Sequence, residues 1–271
     1  MQIQLINLDR TPERLAAFTS MNAHLTDVSR FSAVDGATLD LASLIRSGII
    51  REDILARNEL VPKHIPAHYT VGAIGNALSH VALWQRAIEQ AQPLTVCEDD
   101  AVVHALFVPT AERLLSTLPP DWDIILWGWN ADSPILFEAL PGVSWGLTYF
   151  DPVNIENGVA VYQHARLSPM AYRLREALGV VCYSVSAKGA RTLREFCLPL
   201  REMSVPSVGL KGLVPNAGID IMLLALYPKL SAYITFPPLV VTKNSLAQST
   251  VSSRRAGAQP AATRFPGGAR P

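Results

Sequence analysis

The sequence predicts a single α/β domain built on a mostly parallel sheet, with helices covering both faces of the sheet. Strand-like apolar segments alternate with segments of helical periodicity along most of the chain, and this order is typical of parallel strands joined by crossover helices. The 271 residues are 49% apolar, which is ample for a sizeable core. The sequence contains no internal repeat.

The first strand and the first helix are assigned from local signals. Residues 3–8 (IQLINL) are typical of a buried strand. In the helix that follows, Thr11 is placed to cap the N-terminus and Pro12 suits the first helical position. Further strands are predicted at residues 28–36, 94–98, 123–129, 180–186 and 232–241, and helices at residues 11–25, 70–90, 110–118, 187–196 and 218–227.

The clearest helical pattern lies in residues 70–90. Ile74, Leu78 and Val81 recur there at helical spacing and define a core face. Residues 130–180 are rich in Gly, Pro and aromatic residues and have few periodic signals, so we expect long loops with short strands, a common setting for substrate contacts.

The C-terminal residues differ in composition from the rest of the chain. Residues 249–271 are small, basic and rich in Pro and Gly, a composition that cannot bury a core. We therefore expect a folded domain over residues 1–248 and a disordered tail over residues 249–271.

Composition also limits the partners and the compartment. The formal net charge is zero, which gives no reason to expect nucleic acid as a partner. Cys97, Cys182 and Cys197 lack paired spacing and suit reduced, structural thiols. The N-terminus has no signal-peptide pattern, and no apolar run is long enough to span a bilayer. We expect a soluble, cytoplasmic protein, and peripheral docking at the inner face of the membrane stays open.

Three consecutive acids follow a predicted strand in the stretch PLTVCEDDAVV, where they are Glu98, Asp99 and Asp100. Crowded carboxylates repel one another and resist burial, so the fold must offset their charge. If the triplet stays extended, Glu98 and Asp100 point to one side and could hold a hard divalent cation through oxygen. The alternative is a helix start, where acids complement the dipole. The pattern alone leaves both interpretations open.

Seven segments together resemble glycosyltransferase family 25. The family includes bacterial lipopolysaccharide and lipooligosaccharide galactosyltransferases and the animal collagen galactosyltransferases. The segments follow the family's order and approximate spacing from residue 3 to about residue 245, and they are INLDRTPERL, RFSAVDG, GAIGNALSHVALWQRAIE, LTVCEDDAVV, DWDIILWG, YSVSAKGARTL and GIDIMLLAL.

This resemblance implies both a fold and a reaction. The implied fold is GT-A-like, that is Rossmann-like, with residues 1–248 as the catalytic domain. The implied reaction transfers a hexose from a UDP-sugar, usually UDP-galactose, to a saccharide or glycolipid acceptor with inversion at the anomeric carbon. The implied cofactor is a divalent cation, Mn²⁺ or Mg²⁺.

The chain departs from the family pattern before its Ser-His pair. The family often has Gly-Glu-Ile-Gly-Cys there, whereas this chain has Gly-Ala-Ile-Gly-Asn, with Ala73 and Asn76 in the variable places. No role is carried over to Ala73, because it has no carboxylate. Residues 130–180 align with nothing in the family, so the acceptor is not transferred.

The resemblance gives roles to four acids. Asp100 is the first candidate metal ligand, with Glu98 and Asp99 assisting the metal or the donor ribose. Inverting transfer needs a carboxylate near the acceptor hydroxyl to take its proton, and Asp220 matches the family's late Asp. Asp220 could equally cap a helix that starts at residue 221.

Residues near the first two strand ends are candidates for binding the nucleotide. Asn7, Arg10 and Arg14 lie where the first strand meets its helix, and a helix N-terminus with arginines suits a phosphate or a base edge. Arg14 could equally be a solvated helix residue. Asp35, which precedes Gly36, could bind the uridine or simply make an Asp-Gly turn.

On the predicted 70–90 helix, small and polar residues form a second side. Gly72, Asn76, Ser79 and His80 share this side and would let a nucleotide sugar approach. A lone helix histidine is more often structural than functional, but the Ser-His pair belongs to the family pattern.

Two further functions compete with transfer. A catalytically silent relative would bind nucleotide sugar or glycan in an assembly complex; the altered Ala73 and Asn76 favour it and the intact acidic triplet opposes it. A metal-dependent phosphohydrolase would ordinarily bring more His or Asp ligands, and the six histidines are spread thinly here.

Overall fold

The computed structural model describes residues 1–56 and 68–242. Its helices are α1 (Pro12–Met21), α2 (Leu41–Arg46), α3 (Val71–Gln90), α4 (Phe107–Thr117), α5 (Pro152–Gln163), α6 (Ala187–Cys197) and α7 (Ile219–Leu226). Its strands are β1 (Ile3–Asn7), β2 (Val28–Ser32), β3 (Leu94–Glu98), β4 (Ala101–Val103), β5 (Ile124–Gly128), β6 (Ile135–Leu140), β7 (Ser144–Thr148), β8 (Met170–Glu176), β9 (Cys182–Val185), β10 (Ser204–Ser207), β11 (Gly212–Pro215), β12 (Ala232–Phe236) and β13 (Val240–Thr242).

A nine-stranded sheet with the order β2-β1-β3-β9-β5-β12-β8-β6-β7 forms the centre of the described chain. The pairings give β1, β2, β3, β5, β6 and β12 one direction, and β7, β8 and β9 the opposite direction. The predicted single α/β domain with a mostly parallel sheet is confirmed. Strand β9 lies antiparallel between β3 and β5 and brings its first residues to the edge where those two strands end.

Helices cover both faces of this sheet, as predicted. Along β5, Ile124 and Leu126 face a core that includes residues of α3, α6 and α7. Ile125 and Trp127 face the other way, into a core with residues of α1 and α4. The alternation follows from the pleat of a strand, which directs successive side chains to opposite faces.

Several predicted elements needed correction. Residues 232–241 form two strands, β12 and β13, because the two prolines at 237 and 238 lack the N–H donors that a ladder requires. Helix α5 lies inside the segment expected to form loops. Its start carries an ordinary signal: Asp151 accepts hydrogen bonds from the backbone N–H groups of residues 153 and 154, and Pro152 occupies the first turn.

Other expectations had mixed outcomes. Cys97, Cys182 and Cys197 are free and buried, as expected for structural thiols. The predicted tail, residues 249–271, lies outside the described residues. In the described part of the chain, no helix combines the length and apolar character needed to cross a membrane.

Candidate active site

The candidate site lies at the edge of the sheet where β1, β2 and β3 end. Strand β1 pairs in parallel with both neighbours, with Asn7 opposite Ser32 of β2 and Ile6 opposite Glu98 of β3. Because parallel strands end at the same edge, the acidic triplet meets the polar residues that follow β1 and β2. Ligands of α/β sheets bind beyond this edge.

The acidic triplet does not stay extended. Glu98 ends β3, and Asp99 and Asp100 form a turn that leads into β4. The assumed strand geometry is therefore wrong, and so is the alternative of a helix start. Each of the three side chains instead contacts a different element of the fold, which is how the fold accommodates their charge.

Asp99 turns towards β1 and α1. Its carboxylate accepts a hydrogen bond of 2.7 Å from Nδ2 of Asn7 and forms an ion pair with Arg14. Its side chain is only 9% exposed. Burial raises the pKa of Asp99, and the Asn7 bond and the Arg14 charge oppose that rise. Arg14 is thus a partner of the triplet and not a solvated helix residue.

Asn7 connects this pair to a second arginine that the sequence analysis missed. Oδ1 of Asn7 accepts a hydrogen bond of 2.9 Å from Nε of Arg30, and Arg30 also pairs with Asp9. Ser32 donates to both oxygens of Asp9 at 2.8 Å. The sequence signal that could have found Arg30 was a cationic residue inside the predicted second strand.

Arg10 and Asp35 also meet at this edge. Nε of Arg10 lies 2.7 Å from Oδ2 of Asp35, and the Arg10 side chain is 52% exposed. Oδ1 of Asp35 accepts the backbone N–H of Ala37 at 3.0 Å, so Asp35 does make the expected turn. The Ala37 N–H and Arg10 lower the pKa of Asp35. A contact of this pair with a nucleotide stays a prediction.

Glu98 turns towards α3. Its Oε1 lies 3.1 Å from Nδ2 of Asn76 and 3.3 Å from Nε2 of His80. Burial raises the pKa of Glu98, but the hydrogen bond and attraction of His80, followed by the Asn76 bond, outweigh burial and leave the pKa below its usual value. Glu98 is therefore held as a carboxylate.

The remaining candidates on α3, Ser79 and Gly72, do not contact the acidic triplet in the same way as Asn76 and His80. Ser79 is fully buried; its Oγ accepts the N–H of Val34 at 2.9 Å and donates to the carbonyl of Gly75 at 2.8 Å. A Cβ on Gly75 would lie 2.4 Å from the carbonyl oxygen of Val34. Ser79 and Gly75 thus hold the loop before Asp35 against the helix, while Gly72 is half-buried at the helix start.

Asp100 faces the end of β13. Its Oδ2 accepts a hydrogen bond of 3.1 Å from Oγ1 of Thr242, and the residue as a whole is exposed. Crowding of protein atoms around the carboxyl group, and then repulsion from Glu98, raise the pKa of Asp100 to about 6. The carboxylates of Glu98 and Asp100 are thus close enough to disfavour joint ionisation.

Asp220 lies in the first turn of α7. The helix starts at Ile219 behind Gly218, which makes no side-chain cap, so the alternative that Asp220 caps a helix from residue 221 is wrong. Oδ2 of Asp220 accepts the N–H of Gly179 at 2.9 Å. Burial raises the pKa of Asp220, as does the charge of Glu98. Glu98 is thus the member of the acidic triplet whose charge acts on Asp220.

The donor set suits a hard cation only in part. Within residues 1–56 and 68–242, no group of three or more His, Cys, Asp and Glu side chains could hold a metal ion. Glu98 and Asp100 remain a pair of interacting carboxylates, one of them exposed. Two carboxylates suit Mg²⁺ or Mn²⁺ where substrate phosphates and water complete the shell.

Comparison with known proteins identifies the class. Residues 1–206 match the model of glycosyltransferase family 25, described as an LPS biosynthesis protein. The chain therefore belongs to glycosyltransferase family 25. The segments that carried the resemblance lie largely within this match.

Two animal proteins are similar over about half of the chain. One, from Rattus norvegicus, is called "Probable inactive glycosyltransferase 25 family member 3" and is 28% identical over 166 residues, 55% of this chain. The other, from Drosophila pseudoobscura pseudoobscura, is called "Glycosyltransferase 25 family member" and is 30% identical over 166 residues, 54% of this chain. The match spans only 27% and 25% of their respective lengths.

Solved structures resemble the chain weakly. A mutant UDP-glucose pyrophosphorylase from Leishmania major covers 86% of this chain and 61% of its own, at 10% identity and a TM-score of 0.35. A second mutant of that enzyme, in complex with UDP-glucose, has the same coverage, 8% identity and a TM-score of 0.30.

Proposed function

We propose that this chain is an inverting, metal-dependent glycosyltransferase. It moves a hexose, galactose by family expectation, from a UDP-sugar to a saccharide or glycolipid acceptor in the synthesis of lipopolysaccharide, lipooligosaccharide or another cell-surface glycan. One observation carries the proposal. Glu98 ends β3 at the carboxyl edge of the sheet, Asp100 lies in the turn that follows beside Thr242, and Asp220 is bonded to the loop before β9, whose first residues pair with the end of β3.

Binding of the UDP-sugar falls to the residues around the ends of β1 and β2. Arg10 is half exposed and paired only at the surface with Asp35, so its guanidinium can turn to a phosphate. Arg14 is committed to Asp99, and Asn7 is shared between Asp99 and Arg30. In our proposal Arg14, Asn7 and Arg30 act by keeping the turn of Asp99 and Asp100 in place beneath the donor.

Asp100 and Glu98 would hold the divalent cation, Mn²⁺ or Mg²⁺. Burial, and then repulsion from Glu98, raise the pKa of Asp100, and a bound positive charge would offset that repulsion. When bound, the cation would neutralise charge on the departing diphosphate. Asp99 is excluded from this role in our proposal, because Arg14 and Asn7 already occupy its oxygens.

Asp220 is the proposed general base. An inverting transfer needs a carboxylate that takes the proton of the acceptor hydroxyl as the sugar is displaced. Burial raises the pKa of Asp220, which makes its carboxylate a stronger base than an ordinary aspartate. The Gly179 N–H holds Oδ2, and backbone N–H groups of the first turn of α7 also bond to this carboxylate, so the side chain of the proposed base is fixed in place.

The test is release of UDP from UDP-galactose by the full chain. We expect release that requires Mn²⁺ and a lipooligosaccharide acceptor, and that is lost in Asp100→Asn and Asp220→Asn. UDP-glucose and UDP-N-acetylglucosamine tested in parallel identify the sugar. Undiminished release by Asp100→Asn contradicts the mechanism.

A catalytically silent, nucleotide-sugar-binding relative is the second candidate. The name of the rat relative and the altered residues Ala73 and Asn76 favour it. Binding of UDP-galactose with Mn²⁺ but no turnover on a panel of saccharide acceptors would support this second function instead.

A further inference from the structure

A chain of buried hydrogen bonds reaches Glu98 from the core behind it. Nε1 of Trp84 donates to the hydroxyl of Tyr183 at 2.9 Å, and that hydroxyl lies 3.0 Å from Nδ1 of His80. Nε2 of His80 then lies 3.3 Å from Oε1 of Glu98. Trp84, His80 and Tyr183 are all fully buried. These hydrogen bonds therefore start on helix α3, pass through Tyr183 of strand β9 and return to α3 before they reach the carboxylate.

The donors in this chain can be ordered from their chemistry. The indole N–H of Trp84 only donates, so the Tyr183 oxygen accepts from it. Among residues 1–56 and 68–242, Nδ1 of His80 is the acceptor that lies within bonding distance of the phenol proton. Because the hydroxyl is buried, leaving that bond unmade would be costly. With Nδ1 as acceptor, Nε2 carries the ring proton and donates to Glu98. Trp84 and Tyr183 thus favour a His80 ring that accepts at Nδ1 and donates from Nε2 to Glu98.

Both donors from α3 converge on the same oxygen of Glu98. Asn76 and His80 each contact Oε1. In the part of the chain that the structure describes, no side chain donates to Oε2. The arrangement restrains the rotation of the carboxylate and leaves Oε2 available to a ligand.

We propose that Asn76, His80, Tyr183 and Trp84 form a positioning network that orients Glu98, with Oε2 presented to the donor–cation complex. This inference rests on the proposed function. Asn76 occupies a place where the family pattern often has Cys, and its amide supplies a second bond to Oε1. The departure at residue 76 is thereby a functional substitution and not a sign of decay. In this proposal each of the four residues acts through Glu98, as a positioning residue.

The first test reads the tautomer directly and needs no activity. Two-bond ¹H–¹⁵N spectra of ¹⁵N-histidine-labelled full chain distinguish the two neutral tautomers, and a His80→Gln sample assigns the signal. We expect His80 with the proton on Nε2, and we expect Tyr183→Phe to change that signal. A His80 ring that carries no proton on Nε2 overturns the proposal whether or not the chain transfers sugar.

The second test measures Mn²⁺ binding in the presence of UDP by electron paramagnetic resonance. Residues that orient metal ligands typically contribute 10- to 100-fold to metal affinity. We therefore expect Tyr183→Phe and Asn76→Ala each to weaken the binding of Mn²⁺ by about tenfold or more. Tyr162→Phe is the matched control for Tyr183→Phe, since it also removes a phenol bond, 3.2 Å to the carbonyl of Pro238. Gln85→Ala controls for Asn76→Ala on the same helix, because it removes only the surface bond to Glu89.

The outcomes separate the two proposals. Equal affinities in Tyr183→Phe and Tyr162→Phe, with equal losses of melting temperature, would make the network merely structural and overturn the inference. A wild-type chain that binds neither Mn²⁺ nor UDP overturns the proposed function instead. In that case the His80 signal still decides whether the network orders the ring as inferred.

Discussion

The backbone N–H of Gly179 donates a hydrogen bond of 2.9 Å to Oδ2 of Asp220, and this bond joins helix α7 to the loop before β9. Gly179 has a φ of +82°, and a Cβ there would lie 2.3 Å from Oδ1 of Asn130. Glycine is therefore required twice, for its backbone conformation and for its lack of a side chain. The Gly179 N–H is one of the backbone donors that hold the carboxylate of the proposed base.

Replacing Gly179 should lower both stability and turnover. We expect Gly179→Ala to cost about 3 kcal/mol in free energy of unfolding, because left-handed strain and overpacking add. Gly142→Ala is the matched control: its φ is +70° but nothing lies within 4 Å, so we expect about 1 kcal/mol and unchanged UDP release. Urea denaturation and UDP release measure both effects. Similar losses in the two variants would contradict the role of Gly179.

Removing the carboxylate of Asp220 should slow the sugar-transfer step and leave binding of the UDP-sugar unchanged. We expect Asp220→Asn to lower kcat by about 10²- to 10⁴-fold, the range of general base catalysis, with the KM for the UDP-sugar within about twofold. Steady-state kinetics at saturating acceptor measure this split. A rise in the donor KM with unchanged kcat would instead assign Asp220 to donor binding.

Asp100 should destabilise the fold at neutral pH in the absence of metal. Its folded pKa, about 6, lies above its ordinary value of 3.8, so between those values the folded state binds more protons than the unfolded state. Stability therefore falls as pH rises through this window. We expect metal-free Asp100→Asn to melt about 2 °C above wild type at pH 8 and equally at pH 4. Thermal melts in EDTA measure this, and a less stable variant at pH 8 would contradict the raised pKa.

The two arginines after β1 should differ in their effect on stability. Arg14 pairs with Asp99, whose side chain is 9% exposed, and its loss would leave a largely buried carboxylate without its ion pair. We expect Arg14→Ala to cost about 2–3 kcal/mol in free energy of unfolding, somewhat below the range for fully buried pairs. Arg10→Ala is the control, and since its side chain is 52% exposed we expect less than about 1 kcal/mol. If urea denaturation shows the same loss of unfolding free energy in both variants, the burial of the Arg14 pair does not add to stability as expected.

Much of the fold could be read from local patterns. Helix α3 was predicted over residues 70–90 from its apolar periodicity and covers Val71–Gln90; the structure adds that the Thr70 side chain caps its start. The ends of β1 and β3 were also predicted, and parallel pairing brought Asn7 and Glu98 to one edge. Helix α5 was missed because its residues lack a clear apolar face, although Asp151 and Pro152 marked its start.

The candidate site was predicted in its members but not in its contacts. The sequence suggested that the acids needed compensating charge, but it named Arg14 and Asn7 only as candidates for binding the nucleotide. It did not indicate that Asp99 alone takes both partners, since a strand was assumed where the chain turns. Tyr183 was read only as part of a strand; its buried hydroxyl, which needs a partner, was the signal that could have found it.

Local patterns were enough to predict elements such as α3 and β3, the acids that end β3, and the family resemblance, because these depend on residues close together along the chain or on their order. The folded chain was needed to show that Glu98, Asp99 and Asp100 turn to three different elements, and that the Gly179 N–H bonds to Asp220. Those contacts join residues far apart in sequence. Their geometry follows from how β9 inserts between β3 and β5, which no local pattern specifies.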